Sequence, residues 1–450
     1  MSETLSPVQS EPATGRSPAA QTEIGSVFVS NYPPYSFWSE ERVPEVEKIL
    51  DTPPTAAADL GLYLHIPFCR KRCKFCYFRV YTDKNSDEIQ RYLAALAREV
   101  ELYSARPRIA ARPLKFVYFG GGTPSYISAR HLRELVGRLK AALPWEGAEE
   151  VAFECEPGTL TQAKLEAIKQ IGVTRLSLGV ENLNDEILRE NGRAHLSKEV
   201  YQVAPWIKAL EFDQVNVDLI AGMVGETEPS WRDTVQRTLD LDPDSVTVYQ
   251  MELPFNTVYS KYISAETGQE LELADWETKR AWHDYAFAQF EAAGYQVASA
   301  YTVVKKDKPG CFAYRDSVWQ GTDMMGTGVA SFSHVGGMHF QNQTSWGEYM
   351  GALEAGKLPL GRAFATTAEE RFTREMILQL KFGKIGADYF RRKFSVDILQ
   401  VFGAAYARLQ DEGMLKLSAD GVELTRQGLL RVDQLLPEFY DPKYQHARYT

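Results

Sequence analysis

Three cysteines lie close together directly after an apolar run, GLYLHI (61–66). Cys69, Cys73 and Cys76 have the spacing Cys-x3-Cys-x2-Cys and therefore lie in the loop that leaves a predicted strand. Three thiolates at this spacing can hold three corners of a [4Fe–4S] cluster and leave its fourth iron without a protein ligand. An open iron of this kind is a binding site for a substrate or a cofactor.

Two alternatives to a cluster follow from the same residues. Zinc could bind, but a closed structural zinc site takes four Cys or His ligands in paired short spacings, and the sequence has no second pair. Burial of the cysteines as core thiols conflicts with the four basic residues among them, Arg70, Lys71, Arg72 and Lys74. The spacing therefore favours an iron–sulfur cluster.

Polar residues also follow the next two apolar runs. The segment 120–123, Gly-Gly-Gly-Thr, ends the second run, and glycines there let the backbone approach a charged ligand closely. Glu154 and Glu156 flank Cys155 at the end of the third run. Strand alternation predicts both carboxylates on one side, where they bind a ligand or form a structural salt bridge.

Four further residues carry weaker signals. Asp218 is an acid inside the apolar run QVNVDLIAG. Tyr63 and His65 precede the cluster loop, either as ligand contacts or as a core aromatic and a capping histidine. The spare cysteines, Cys155 and Cys311, are expected to be small buried apolar residues.

The elements that must position these residues alternate along the chain. Short, β-rich apolar runs occur at 61–66, 115–120, 150–156, 175–180, 214–222 and 244–251, and amphipathic helical patterns occur at 86–103, 129–143, 161–172 and 231–241. This order predicts an α/β fold with parallel strands, as an open sheet or a barrel. In such folds the chemistry lies at the carboxyl ends of the strands.

The alternation is confined to the middle of the chain. Residues 1–25 are rich in Ser, Pro, Ala, Thr and Glu and are expected to be a disordered tail. The Gly- and Ser-rich stretch 321–337 cannot form a regular helix and is expected to lie close to a ligand or another backbone. From residue 367 helical patterns and a short hairpin predict a separate C-terminal domain of the winged-helix type.

Composition excludes several classes of protein. Among 450 residues, 60 acidic and 50 basic side chains give a net charge of −10, which disfavours a nucleic-acid partner. Five cysteines, three of them clustered, do not form a disulfide framework. Neither a signal peptide nor an apolar stretch long enough to span a bilayer is present in this sequence, so we expect a cytoplasmic protein without membrane insertion.

The cysteine spacing, with Phe75 before the third cysteine, resembles that of the radical S-adenosylmethionine (SAM) superfamily. The surrounding LYLHIPFCRKRCKFC is similar to the oxygen-independent coproporphyrinogen III oxidase-like (HemN-like) branch. The similarity continues through VYFGGGTPS (117–125), FECEP (153–157), LGVENLNDEILRENGRAH (178–195), VNVDLIAGM (215–223), MGTGVASFS (325–333) and an N-terminal NYPPYSFW (31–38).

The resemblance implies a partial (β/α)6 barrel with an N-terminal arm and a helical, winged-helix-like C-terminal domain. The expected division is a tail (1–25), the arm (26–60), the barrel core (61–300), a Gly/Ser-rich extension that closes the site (301–365) and the C-terminal domain (366–450).

In the family, SAM chelates the open iron, and one electron splits it into methionine and a 5′-deoxyadenosyl radical that takes a hydrogen atom from a substrate. The resemblance implies a small-molecule substrate and a one-electron donor such as flavodoxin or ferredoxin. It makes Tyr63 and Glu154 the expected catalytic residues. The expected SAM-binding residues are Tyr63, His65, Gly120, Gly121, Gly122, Thr123, Glu154, Glu181, Arg193 and Asp218.

Three departures from the family pattern bear on the reaction. Relatives commonly have Gln at the position of Glu181, and an acid there removes donors and adds charge. Coproporphyrinogen oxidases carry a further Cys where this chain has Phe78, and the haem-chaperone motif lacks its His in Tyr314-Arg315-Asp316-Ser317-Val318-Trp319. We therefore predict a two-SAM enzyme that performs C-methylation or cyclopropanation. The alternatives are oxidative decarboxylation of coproporphyrinogen III and a haem-binding chaperone.

Overall fold

The computed structural model describes residues 25–55, 58–264, 271–308, 312–445 and 447. The predicted tail, except for Gly25, and the spare thiol Cys311 lie outside the described residues.

The described strands form one large sheet and one small sheet. The strands are β1 (Leu60–Ile66), β2 (Leu114–Gly121), β3 (Glu150–Cys155), β4 (Arg175–Glu181), β5 (Gln214–Ala221), β6 (Ser245–Gln250), β7 (Tyr295–Val297), β8 (Thr302–Lys305), β9 (Asp323–Thr327), β10 (Phe332–Val335), β11 (Met338–Asn342), β12 (Leu360–Ala365), β13 (Lys384–Gly386), β14 (Leu415–Ser418) and β15 (Gly421–Leu424).

The described helices are α1 (Val43–Leu50), α2 (Ser86–Ser104), α3 (Ala129–Ala142), α4 (Gln162–Gln170), α5 (Asp185–Glu190), α6 (Ser197–Ala209), α7 (Glu228–Leu241), α8 (Val258–Ser264), α9 (Trp276–Ala292), α10 (Ala313–Trp319), α11 (Trp346–Glu354), α12 (Ala368–Leu380), α13 (Ala387–Phe394), α14 (Ile398–Val401), α15 (Gly403–Asp411), α16 (Arg426–Leu429) and α17 (Val432–Leu435).

Strands β1 to β6 are parallel, lie in sequence order and alternate with helices. All six predicted strands are present, because short apolar runs bury both faces of a parallel sheet. Side-chain caps fix several helix starts, as at Asn85, whose side chain accepts from the Glu88 backbone N–H and begins α2. The large sheet runs β12-β11-β10-β9-β1-β2-β3-β4-β5-β6-β8-β7 and does not close, which confirms the partial (β/α)6 barrel.

Residues 301–365 contribute to this sheet on both sides of the barrel strands. Strand β9 pairs in parallel with β1, and β10 to β12 continue antiparallel beyond it. The predicted close backbone approach is present, because a Cβ at Gly326 would lie 2.1 Å from the Phe332 carbonyl oxygen. The strands here were missed because Gly and Ser replace the apolar residues that mark a strand in sequence.

The C-terminal region contains α12 to α17 and the small sheet β13-β15-β14, in which the predicted hairpin pairs antiparallel. The N-terminal arm packs against this region. Arg374 of α12 donates from Nε to the Asn31 side chain at 2.7 Å, and the buried Lys381 donates to the Val29 carbonyl oxygen at 2.5 Å. These hydrogen bonds hold the arm against the C-terminal region. Over the described ranges, no helix is both long and apolar enough to cross a membrane.

Candidate active site

A cavity of about 610 Å³ lies at the carboxyl ends of the barrel strands. Its lining includes all three clustered cysteines, Tyr63 of β1 and the end of β3. The arm contributes residues 26–30, the extension contributes residues 301 and 302 and several residues of 312–319, and the C-terminal region contributes residues 429–434. A volume of this size suits a small-molecule ligand. The cysteines therefore lie at a cavity that the arm, the barrel, the extension and the C-terminal region all line.

The cluster loop, residues 69–76, is held by neighbouring strand ends. Thr123 donates from its hydroxyl to the Cys69 sulfur at 3.3 Å, and Arg193 donates to the Cys73 sulfur at 3.4 Å. Burial raises the pKa of Cys69 to about 11 and that of Cys76 to about 12. Iron binding must therefore displace thiol protons at these positions.

The donor set fits an iron–sulfur cluster. In a cubane cluster each thiolate binds a different iron, whereas a closed zinc site gathers its ligands around one ion. In the part of the chain that the structure describes, no group of three His, Cys, Asp or Glu side chains is placed to hold one metal ion. The number and spacing of Cys69, Cys73 and Cys76 fit the ligand set of a cubane cluster.

The glycine segment after β2 packs tightly against the cluster loop. A Cβ at Gly122 would lie 3.0 Å from the Cys69 sulfur and 2.9 Å from the Pro67 backbone. Gly121 has a φ of +115°, and its Cβ would lie 2.5 Å from Nδ1 of His65. Side chains do not fit here, so the backbone itself faces the cavity.

Glu154 and Tyr63 lie together in the barrel interior. Glu154 accepts from the Tyr118 hydroxyl at 2.6 Å and from the Gly121 backbone N–H at 3.2 Å. Burial raises the pKa of Glu154 to about 7. The Tyr63 ring stacks on Tyr118 at 5.8 Å, and its hydroxyl donates to Nδ1 of His65 at 3.4 Å.

His65 is a neutral ring behind the site. Its Nε2 donates to the Arg79 carbonyl oxygen at 3.2 Å, and burial lowers its pKa to about 4. Of the predicted SAM-binding residues, His65 and Gly120 do not line the cavity, whereas the other eight do. The sequence left His65 as either a ligand contact or a capping histidine, and its hydrogen bond to a backbone carbonyl favours the second role.

Glu156 differs from Glu154 in its partners. It accepts from the Arg70 guanidinium at 2.9 and 3.2 Å, and its Oε1 lies 3.1 Å from Nδ1 of His195. Strand β3 ends at Cys155, so the alternation that placed both acids on one side stops before Glu156. Glu156 therefore forms the structural salt bridge, and Cys155, 5% exposed, is a core thiol as expected.

Glu181, Arg193 and Asp218 form the far wall of the interior. Glu181 has a φ of +63°, and its carboxylate lies 3.6 Å from Arg193. Burial raises the pKa of Glu181 to about 7 despite that neighbour. Asp218 accepts from the Ser177 hydroxyl and the Asn216 amide, both at 2.8 Å, and burial raises its pKa.

Several cavity residues were not found from the sequence. Glu252 follows β6, the position where strand ends carry chemistry, and it accepts from the Ser26 hydroxyl at 2.5 Å. Burial raises its pKa to about 7. The rule about strand ends could have found Glu252, whereas no local signal marks the arm residues 26–30 or the C-terminal residues 429–434 as cavity lining.

Comparison with known proteins agrees with this geometry. The family model of the radical SAM superfamily matches residues 63–238, which span the cluster loop and β1 to β5. This part of the chain belongs to the radical SAM superfamily. The model of the HemN C-terminal domain matches residues 366–431. Radical SAM proteins use a [4Fe–4S] cluster and SAM, and the three cysteines of the loop are the residues that would hold the cluster.

Relatives of this radical SAM protein match it over most of its length. It is 27% identical to the oxygen-independent coproporphyrinogen III oxidase of Pseudomonas aeruginosa, over 88% of this chain and 89% of that one. It is also 27% identical to the heme chaperone HemW of Bacillus subtilis, over 84% of this chain and 98% of that one. The structure of Escherichia coli coproporphyrinogen III oxidase matches the fold with a TM-score of 0.79 and 22% identity, covering 93% of this chain and 99% of that one.

Proposed function

We propose that this radical SAM enzyme abstracts a hydrogen atom from a porphyrinogen, whose propionate side chain then loses carbon dioxide. The observation that carries the proposal is the single cavity that joins the cluster loop to the barrel interior and the C-terminal residues 429–434. The near full-length match to relatives named coproporphyrinogen III oxidase supports it. When bound, the cluster and SAM supply the radical that takes the hydrogen atom.

The chain's own residues bind, orient and shield. Aromatic rings of Tyr63, Tyr118 and Tyr314 stack in the interior and exclude water from a reactive species. Glu154 and Asp218 offer buried carboxyl groups to the cationic and hydroxyl groups of SAM. In this proposal the substrate lies between these rings and the C-terminal residues.

A second candidate is C-methylation or cyclopropanation with a second SAM, as the sequence predicts. The observation in its favour is Phe78, which stands in place of a family cysteine, lines the cavity and packs on Tyr77 with the ring centres 4.5 Å apart. Glu154, Glu181 and Asp218 all have raised pKa values because they are buried. Two SAM cations would neutralise three buried carboxylates more completely than a single SAM cation would.

Product analysis separates these reactions. The protein is reconstituted anaerobically with iron and sulfide, then incubated with SAM, a limiting amount of dithionite, coproporphyrinogen III and an excess of an oxidised viologen as one-electron acceptor. Decarboxylation requires that acceptor, because cleavage of the carbon–carbon bond leaves a vinyl group, carbon dioxide and one electron. We expect 5′-deoxyadenosine together with a vinyl product, and neither with the Cys73→Ala variant.

Other outcomes reject the proposal. S-adenosylhomocysteine formed together with 5′-deoxyadenosine, in the absence of a decarboxylated product, would favour the two-SAM candidate. A Soret band on haem addition without turnover of SAM above background would identify a haem carrier. The electron donor is tested by replacing dithionite with reduced flavodoxin or ferredoxin, either of which we expect to support turnover.

A further inference from the structure

Two arginines lie side by side on the wall where the C-terminal region meets the barrel. Arg280 is on the first turns of α9, and Arg431 lies between α16 and α17. Both line the cavity that contains the cluster loop. Neither position was singled out by a motif in the sequence.

Within the part of the chain that the structure describes, this pair of positive charges has no ion-pair partner. Neither guanidinium has a carboxylate of a described residue within 4 Å, and the buried Nε atoms of Arg280 and Arg431 have no acceptor there. Arg280 donates only to the Gln434 side chain, at 2.5 Å, and packs over the Trp276 ring. Burial, together with the charge of Arg431, lowers the pKa of Arg280 to about 10.

The acids closest in sequence are already engaged. Asp433, between Arg431 and Gln434, pairs with Lys381 at 2.7 Å and accepts from the Val29 backbone N–H at 2.9 Å. Asp275 caps α9 by accepting from the Thr278 backbone N–H at 2.7 Å. Asp275 and Glu277 attract Arg280 from a distance, but burial and the charge of Arg431 outweigh them and lower the pKa of Arg280. A bound anion would remove this remaining cost.

We propose that Arg280 and Arg431 bind a carboxylate group of the substrate. A guanidinium presents donors in a planar fork that matches a carboxylate, and two such forks on a cavity wall form an anion site. The inference deepens the proposed function and rests on it only for the identity of the molecule that carries the anion. It places an acidic side chain of the substrate against the C-terminal region and directs the rest of the molecule toward the barrel interior.

Binding of coproporphyrin III, a stable tetracarboxylate, tests the site in the full-length reconstituted protein. Its fluorescence gives the dissociation constant for the wild type, R280Q, R431Q and the double variant. Removal of a charge-assisted hydrogen bond of this kind should weaken coproporphyrin binding about tenfold in each single variant, which corresponds to about 1.4 kcal/mol of binding free energy. Arg→Lys variants should retain part of the affinity, since they keep the charge but lose the fork.

Three controls make the result specific. Arg232→Gln removes a guanidinium that already pairs with Glu228 on the exposed face of α7, so coproporphyrin affinity should not change. The tetramethyl ester of coproporphyrin carries no carboxylate. Its affinity, measured in a detergent buffer that is also used for coproporphyrin, should not change with the arginine substitutions. Thermal midpoints of R280Q and R431Q should equal or exceed that of the wild type, because removal of either charge relieves a repulsion.

Equal coproporphyrin affinity in the wild type and the double variant would overturn the proposal, as would no binding to the wild type. A lower midpoint in both Gln variants, with affinity unchanged, would assign the pair a structural role instead. Radiolabelled SAM is measured in parallel, and loss of SAM affinity alone would assign the anion site to SAM. Arginine-dependent coproporphyrin binding without turnover of coproporphyrinogen III would refute the proposed function and leave this site standing.

Discussion

Replacing Glu156 by Gln breaks the connection between the cluster loop and the end of β3. In the native protein Glu156 accepts two hydrogen bonds from Arg70, which follows Cys69 directly. The variant keeps the shape of the side chain and removes its charge. Arg70 would then retain its hydrogen bond to the Ala194 carbonyl oxygen, at 2.8 Å, and at most a neutral one to the amide oxygen of the new side chain.

The size of the effect follows from the pKa of Glu156. Burial alone would raise this pKa, but hydrogen bonds from His195 and Arg70 outweigh burial and lower it from 4.5 to about 2. At 1.36 kcal/mol for each pH unit, this difference corresponds to about 3 kcal/mol of stability. The Arg70 side chain is 37% exposed, so solvent screening reduces the expected loss to about 2 kcal/mol.

The sign of the pH dependence follows from the lowered pKa. The stabilisation is present above pH 4.5 and is lost as the pH falls from there toward 2. Urea denaturation of the cluster-free protein should therefore separate the wild type and E156Q by about 2 kcal/mol near pH 7, and by less near pH 4.

The matched control is Glu134→Gln, because Glu134 forms an exposed pair with Arg130 on α3. That change should alter the free energy of unfolding by less than about 0.5 kcal/mol. A loss in E156Q as small as in this control, or a loss that does not vary with pH, would refute the role assigned to the Arg70–Glu156 pair.

Three further predictions concern the cluster and SAM. Cys73→Ala should leave iron content far below about four per chain after reconstitution, since two thiolates cannot hold a cubane with an open iron; iron near four would contradict the ligand assignment. Gly122→Ala should also lower iron content, because its Cβ would lie 3.0 Å from the Cys69 sulfur, whereas Gly137→Ala, with no atom within 4 Å, should not; equal iron in both variants would argue against this packing. SAM affinity, measured by equilibrium dialysis, should rise with pH through about 7 as Glu154 and Glu181 ionise; Glu154→Gln should reduce that rise and the double variant with Glu181→Gln should abolish it, and an unchanged rise in Glu154→Gln would exclude Glu154 as a source.

The barrel could be predicted from sequence because its strands are marked by composition. Runs such as 115–120 and 175–180 are apolar and short, and the structure extends the first by one residue at each end and the second by one residue at its C-terminal end. Strands β9 and β10 could not be found in this way. Gly326 packs against the backbone of Phe332, and the Ser333 hydroxyl accepts from the Gly326 backbone N–H, so these two buried positions interrupt the apolar pattern.

Site residues that lie close together in the sequence could be predicted. Those that are brought together only by the packing of distant segments could not. The cluster spacing and the glycines after β2 are contiguous in sequence, so their types and spacing identify them. Glu156 and its partner Arg70 lie 86 residues apart in the sequence, and Arg280 and its partner Gln434 lie 154 residues apart. No periodicity encodes such contacts, because they arise only when the helices and the C-terminal region have packed.

The pairing of β1 with β9 also sets an order of events during synthesis. Strand β1 carries Tyr63 and leads into the cluster loop, yet one of its two neighbours is Asp323–Thr327. Until that segment has left the ribosome, β1 is an open sheet edge. Before then, the backbone N–H of Gly328 cannot donate to Glu99 of α2, and Gly328 cannot pack against Tyr92. Chains emerge from the N-terminus, so the cysteines exist long before the scaffold around them is complete. Strand β1 therefore gains its second neighbouring strand only after nearly three quarters of the chain has been translated.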